Sequence, residues 1–164
     1  MSVIISIIVI VELLLIGTVT KLLKRTARNN KMSFQETLYL TDLPIVTFYN
    51  NGRKFNFVLD TGANQSIINQ NDLDSCTYEK LEETTKLMGL DGNSQQVQTL
   101  VSMNISHKNK EYVEKFQVSD LTPLLTAMKQ AHGVSIHGII GNTFFSRYDF
   151  VLDFDDMIAY TKSK

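Results

Sequence analysis

The stretch Phe55-Asn56-Phe57-Val58-Leu59-Asp60-Thr61-Gly62-Ala63-Asn64-Gln65-Ser66-Ile67-Ile68 decides how the rest of the chain is read. Its first five residues have the composition of a buried strand, and the run breaks at Asp60. A second apolar pair, Ile67-Ile68, resumes after the break. A carboxylate is therefore delivered at the end of a strand, on a tight loop. Gly62 lets the backbone either turn with φ > 0 or pass close to another chain. Thr61 sets a hydroxyl beside the carboxylate. Burying Asp60 as an unpaired anion would cost several kcal/mol, so the fold must supply it with a partner.

Upstream, Pro44 to Tyr49 and Arg53 to Leu59 flank Asn51-Gly52, whose two residues tolerate the positive φ of a type I′ turn, so a hairpin leads into Asp60. Phe34 to Leu40 reads as a strand, and Asn69 to Ser75 as a polar turn. Thr84 to Leu90 and Ser94 to Ile105 flank Asp91-Gly92, a second hairpin signal. His107 to Lys110 turns the chain, and Glu111 to Val118 returns it. Pro123 to Ala131 is predicted helical, with Thr122 as N-cap and Gly133 as its end. Ile136 to Ile140 reads as a buried strand, Asn142 to Arg147 as a short helix. Two closing strands, Tyr148 to Phe154 and Met157 to Thr161, surround Asp155-Asp156.

Composition narrows the function classes. The chain has 164 residues, enough for one domain plus an appendage. Of 16 basic and 17 acidic residues, Lys21, Lys24, Arg25, Arg28, Lys31 and Glu12 precede Ser33, leaving 11 basic against 16 acidic in the remainder. That balance argues against nucleic acid as a partner. Cys76 is the single cysteine, so an intrachain disulfide and a cysteine-based metal site are excluded, and a surface or half-buried thiol is the simplest reading. Asp72, Asp74, Asp153, Asp155 and Asp156 lack the residue types and spacing of a metal loop and read as solvated turns. No metal and no cofactor are expected.

Val3 to Val19 is apolar apart from Ser6, Glu12, Gly17 and Thr18. At ~1.5 Å per residue a helix there would span about 25 Å. Its Val, Ile and Leu residues favour insertion by roughly 4 to 8 kcal/mol, against about 3 for a central charged Glu12. Residues 1–31 are thus expected to form a transmembrane helix with a basic juxtamembrane linker, followed by a folded domain over 32–164. A signal peptide fits less well, because no Lys or Arg precedes the run and no small-residue cleavage site closes it. The one-sided basic cluster places the domain in the cytoplasm by the positive-inside rule, with a periplasmic or otherwise extracytoplasmic location as the alternative.

Leu59-Asp60-Thr61-Gly62-Ala63, taken with His137-Gly138-Ile139-Ile140-Gly141-Asn142 downstream, resembles the paired motifs of retropepsin-like aspartic proteases, over roughly Phe34 to Tyr160. The chain resembles a membrane-anchored, bacterial-type form with one Asp-Thr-Gly-Ala per chain. The resemblance implies a mainly β, closed-barrel acid-protease fold with one or two short helices. It implies Asp60 as the catalytic residue, Thr61, Gly62 and Ala63 as the supporting loop, and Ile139, Ile140 and Gly141 as packing beneath that loop. It also implies a flap at Gly89, Leu90, Asp91 and Gly92. With one motif per chain, a homodimer acting on a polypeptide substrate follows from the resemblance. Asn64 stands where retroviral enzymes commonly carry an acid, and the helix near Pro123 is longer than they have. The other reading is a membrane-tethered retropepsin-like module that dimerises or binds peptides without cleaving them.

Overall fold

The computed structural model describes residues 32–88 and 95–162, and the side chains of these except 82–88 and 95–98. The expected transmembrane helix, its linker and the flap tip all lie outside the described residues. Among the described residues no helix is long and apolar enough to cross a membrane. The folded unit is Ser33–Lys164, and Met32 begins its first strand.

In chain order the strands are β1 (Met32–Ser33), β2 (Ile45–Asn50), β3 (Arg53–Leu59), β4 (Ser66–Asn69), β5 (Glu79–Met88), β6 (Gln95–His107), β7 (Lys110–Ser119), β8 (Gly138–Ile140), β9 (Phe150–Asp153) and β10 (Ile158–Thr161). The helices are α1 (Gln35–Thr41), α2 (Thr122–His132) and α3 (Asn142–Arg147), with a 3₁₀ segment over Gln70–Ser75. Seven strands run in the order β2-β3-β8-β4-β7-β6-β5. An extra pairing of β2 with β6, at Tyr49 and Ser106, closes six of them into a barrel and leaves β5 outside the ring. A separate three-stranded sheet has the order β1-β10-β9.

The hairpin into Asp60 forms at the expected turn: Asn51 has φ 47° and Gly52 φ 79°, and Ile45 pairs with Val58 through to Asn50 with Arg53. Along β3, Phe55, Phe57 and Leu59 point inward while Asn56 and Val58 are half-buried, the period-two pattern of a strand with one core face. Phe57 stacks on Phe116 at 5.3 Å. Phe48 meets Phe57, Tyr112 and Phe144 edge-on at 6.0–6.1 Å, so one aromatic cluster joins β2, β3, β7 and α3.

The structure departs from the sequence expectations at three points. Phe34 to Leu40 is not a strand: Gln35–Thr41 is helical, and the inward residues are Phe34, Thr37, Leu38 and Thr41, which recur at a helical spacing. Thr37 Oγ1 accepts from Ile45 N–H (3.1 Å), and Asp42 in the left-handed region ends the helix. Among the described residues there are therefore three α-helices, where one or two short ones were expected. At α2 the N-cap is Leu121, and Thr122 is the first helical residue; its N–H donates to Asp120 Oδ1 (3.0 Å), an acceptor two residues upstream that makes Thr122 unnecessary as a cap.

Candidate active site

Asp60 sits one residue past β3, at the point where β3 runs parallel to β8 with Leu59 opposite Ile140. Its N–H donates to Ile140 O (3.0 Å), which fixes the backbone from which the carboxylate projects. Oδ1 accepts from Gly62 N–H (2.8 Å), and Asp60 is half-buried, with Thr61 and Gly62 exposed. The carboxylate thus faces solvent while resting on one amide of its own loop, so the buried unpaired anion does not arise in this chain.

Gly62 does not use a left-handed conformation; among the described glycines only Gly52 and Gly133 have positive φ. Its use is space. A Cβ there would lie 3.2 Å from Asp60 Oδ1, against the oxygen that the Gly62 amide holds. Gly141 has a sharper reason. A Cβ on it would lie 2.5 Å from the carbonyl carbon and oxygen of Gln65 and 2.9 Å from Ala63 O, all backbone atoms. Gly138 is similarly blocked by Ile67 O and the Phe57 ring.

The segment around Gly141 is the floor of the loop. Asn142 N–H donates to Ala63 O (2.7 Å) and Thr143 N–H to Asn64 O (3.1 Å). Gly141 N–H donates to Ser66 Oγ (3.1 Å). Ile140 is fully buried and Ile139 half-buried. Structure thus brings together Asp60, Thr61, Gly62 and Ala63 with Ile139, Ile140 and Gly141, over 70 residues apart in sequence. Asn64 contributes its backbone carbonyl to this clamp.

Three residues of the site escaped the sequence reading. Ser66 Oγ donates to Glu114 Oε1 (2.9 Å), and Arg147 Nη1 donates to Glu114 Oε2 (2.9 Å). Glu114 is 1% exposed, and burial raises its pKa above the usual carboxylate value, against the opposing pull of Ser66 and Arg147. The signal was there in β7: Glu114 is in phase with inward-facing Tyr112 and Phe116, so a charged residue occupies a core position.

Beside Asp60 opens a cavity of about 610 Å³, walled in part by Val58, Leu59, Thr61, Phe145 and Phe154. It is apolar apart from the loop itself. Phe154 is exposed, at 54%. Cys76 lies elsewhere; burial pushes its thiol up to about 11, which keeps it protonated and makes it a poor nucleophile. His137 Nδ1 accepts from Asn56 N–H (3.0 Å), a structural bond between β3 and the approach to β8. Asp72 Oδ2 accepts from Asn69 Nδ2–H, and Asp153 Oδ1 from Asp156 N–H, so each serves a local turn.

A six-stranded β-barrel that presents an Asp-Thr-Gly loop above a glycine-bearing floor defines the retropepsin class of architecture. Residues 46–147 match the family described as "gag-polyprotein putative aspartyl protease", and the chain belongs to that family. The retroviral protease-like domain of Ddi1 from Leishmania major superposes with a TM-score of 0.50 at 15% identity, over 74% of this chain and 90% of that one. A retropepsin-like aspartic protease from Rickettsia conorii superposes with a TM-score of 0.50 at 16% identity, over 79% and 86%. At such identities the likeness is one of fold. No curated protein sequence matches the chain.

Proposed function

We propose that the protein is an aspartic endopeptidase whose site forms when two copies bring their Asp60 loops together at a two-fold axis. The observation that carries this reading is the placement of Asp60: a half-exposed carboxylate at a strand end, on a loop clamped from below, beside an open apolar cavity. A scaffold has no need to hold a carboxylate in that position.

One protomer offers one Asp-Thr-Gly loop. Peptide hydrolysis by this chemistry uses two carboxylates, and closed symmetric dimers are the ordinary way for one chain to supply two of the same group. Asp60 and Asp60 of the partner subunit would share a proton, since two adjacent carboxylates do not both ionise easily, and they titrate as a pair. The ionised member takes a proton from a bound water, which attacks the scissile carbonyl carbon. The protonated member donates a hydrogen bond to the carbonyl oxygen and then supplies the proton that the leaving nitrogen needs. Thr61, exposed beside the carboxylate, would brace one loop against the other, and Gly62 leaves room for that approach. The apolar wall at Leu59, Phe145 and Phe154 would be covered by the partner or by a polypeptide substrate. The flap, from Gly89 to Gly92, and the single-pass anchor within residues 1–31 complete the proposal, with the domain on the cytoplasmic side.

Incubating the full chain with a diverse peptide library tests the chemistry. Wild type should cleave, Asp60→Asn should not while keeping its fold, and excess Asp60→Asn subunits should inhibit wild type by forming defective mixed dimers. Undiminished cleavage by purified Asp60→Asn would place the chemistry elsewhere, and a folded wild type that cleaves nothing would favour the binding-module reading. Reporter fusions at Lys164 test the orientation; activity of an extracytoplasmic reporter alone would reverse it.

A further inference from the structure

We infer that Glu114 is a positioning residue for the Asp60 loop: it orients the Ser66 hydroxyl toward Gly141 and ties the base of the loop to Arg147 at the end of α3. Its effect on catalysis rests on the endopeptidase reading above; its effect on the loop does not.

A serine hydroxyl has one hydrogen and rotates freely about its C–O bond. Ser66 is fully buried, and its hydrogen is committed to Glu114 Oε1, 2.9 Å away. That commitment leaves an oxygen lone pair for Gly141 N–H at 3.1 Å. Without the carboxylate the hydroxyl loses its fixed orientation, and the buried Gly141 amide loses a directed acceptor. Gly141 is the residue that seats against Ala63 and Gln65 with no room for a side chain, so its displacement is passed directly to the loop. The neighbouring bonds Asn142 N–H to Ala63 O, Thr143 N–H to Asn64 O and Asp60 N–H to Ile140 O are in series with it.

Arg147 completes the tie. It is half-exposed, donates to Glu114 Oε2 at 2.9 Å and to Val113 O at 3.3 Å, and is the cation that faces Glu114. The same α3 terminus is held by Tyr148, whose hydroxyl donates to Val113 O (2.7 Å) and accepts from Val113 N–H (2.9 Å). The floor of the site and β7 are therefore joined at both ends of α3: through Ser66 and Glu114 near Gly141, and through Arg147 and Tyr148 six residues later. Removing a partner from a buried charged pair leaves the other uncompensated, so the tie acts as a unit.

Two measurements on the full chain test this. For a peptide that wild type cleaves, Glu114→Gln and Arg147→Leu should each lower kcat by about tenfold to a hundredfold with KM within about twofold, and Arg147→Lys should recover part of the loss. Independently of activity, Glu114→Gln should speed hydrogen exchange at the amides of Asp60, Gly141, Asn142 and Thr143 by about tenfold, with the β2–β3 hairpin amides unchanged. Should Glu114→Gln fail to fold, Arg147→Lys keeps a cation opposite the buried carboxylate and carries both measurements, with a smaller loss than Arg147→Leu. Wild-type exchange at the loop, or a uniform rise across the whole domain, overturns the proposal. If wild type cleaves nothing, the endopeptidase reading fails and the exchange measurement alone decides the role of Glu114.

Discussion

Helices α2 and α3 lie within ten residues of one another in sequence and do opposite things. The longer, α2, has eleven residues and buries none of them; Leu124 at its start is 53% exposed. The shorter, α3, has six residues, buries Phe144 and Phe145, and begins at the glycine under the Asp60 loop. Isolated helices of either length are marginal in water. Tertiary packing must therefore hold both, and it is unevenly supplied. Helix length says little about structural importance here; the density of attachments to β-strands says a great deal.

That contrast can be broken by substitution. Phe144→Ala removes a fully buried ring that contacts Phe48, Tyr112, Tyr148 and Phe150, and should cost about 3–5 kcal/mol in urea unfolding. A loss under about 1 kcal/mol would mean that α3 is no better anchored than α2. Gly141→Ala forces a methyl against backbone atoms of Gln65 and Ala63 and should cost about 3 kcal/mol, together with the loss of peptide cleavage. Retained cleavage would show that the floor can move without disturbing Asp60.

On α2 the effects should be smaller. Gly133 ends that helix with φ 70° and has open space around it, so Gly133→Ala should cost only about 1 kcal/mol, from backbone strain alone. A larger cost would reveal contacts that α2 makes elsewhere. The smallest expected effect is a pH dependence at Glu114, where β7 meets the end of α3. Glu114 has its pKa raised chiefly by burial above the ordinary value of 4.5. A carboxyl whose folded pKa is raised contributes stability that is full below the unfolded value and is lost as pH rises through the folded one. The stability of wild type relative to Glu114→Gln should therefore fall as pH climbs from about 4 toward neutrality. The opposite slope in urea titrations would show that Arg147 outweighs burial at this carboxyl.

The comparison also shows what sequence can carry. The strand into Asp60, the Asn51-Gly52 turn and α3 are all legible, because alternation, turn chemistry and a glycine boundary are local signals. Gly141 beneath the loop was legible only through the paired motif; nothing local says what a side chain there would strike. The α1 reading failed because Phe34 and Leu38 suit either period, and Thr37 and Tyr39 favour strand by propensity, until Thr37 is seen bonded to Ile45 N–H. The Glu114–Arg147 pair was not legible. The two are 33 positions apart, and only the parallel register of β4 on β7 together with the α3 terminus brings them into contact.

The parallel pairing of β3 with β8 has a further consequence during synthesis. Asp60 leaves the ribosome early, but the strand and floor that hold its loop are residues 138–143. Contacts so distant in sequence must await loop closure over about 80 residues and form late. A nascent chain that already exposes Asp60 therefore lacks the framework to aim it. Ribosome-stalled chains ending before Gly138 should show rapid exchange at the Asp60 amide, and chains extended past Arg147 should show protection, each carried on a linker that clears the exit tunnel. Protection in the shorter chain would mean that the loop is shaped without β8 and α3.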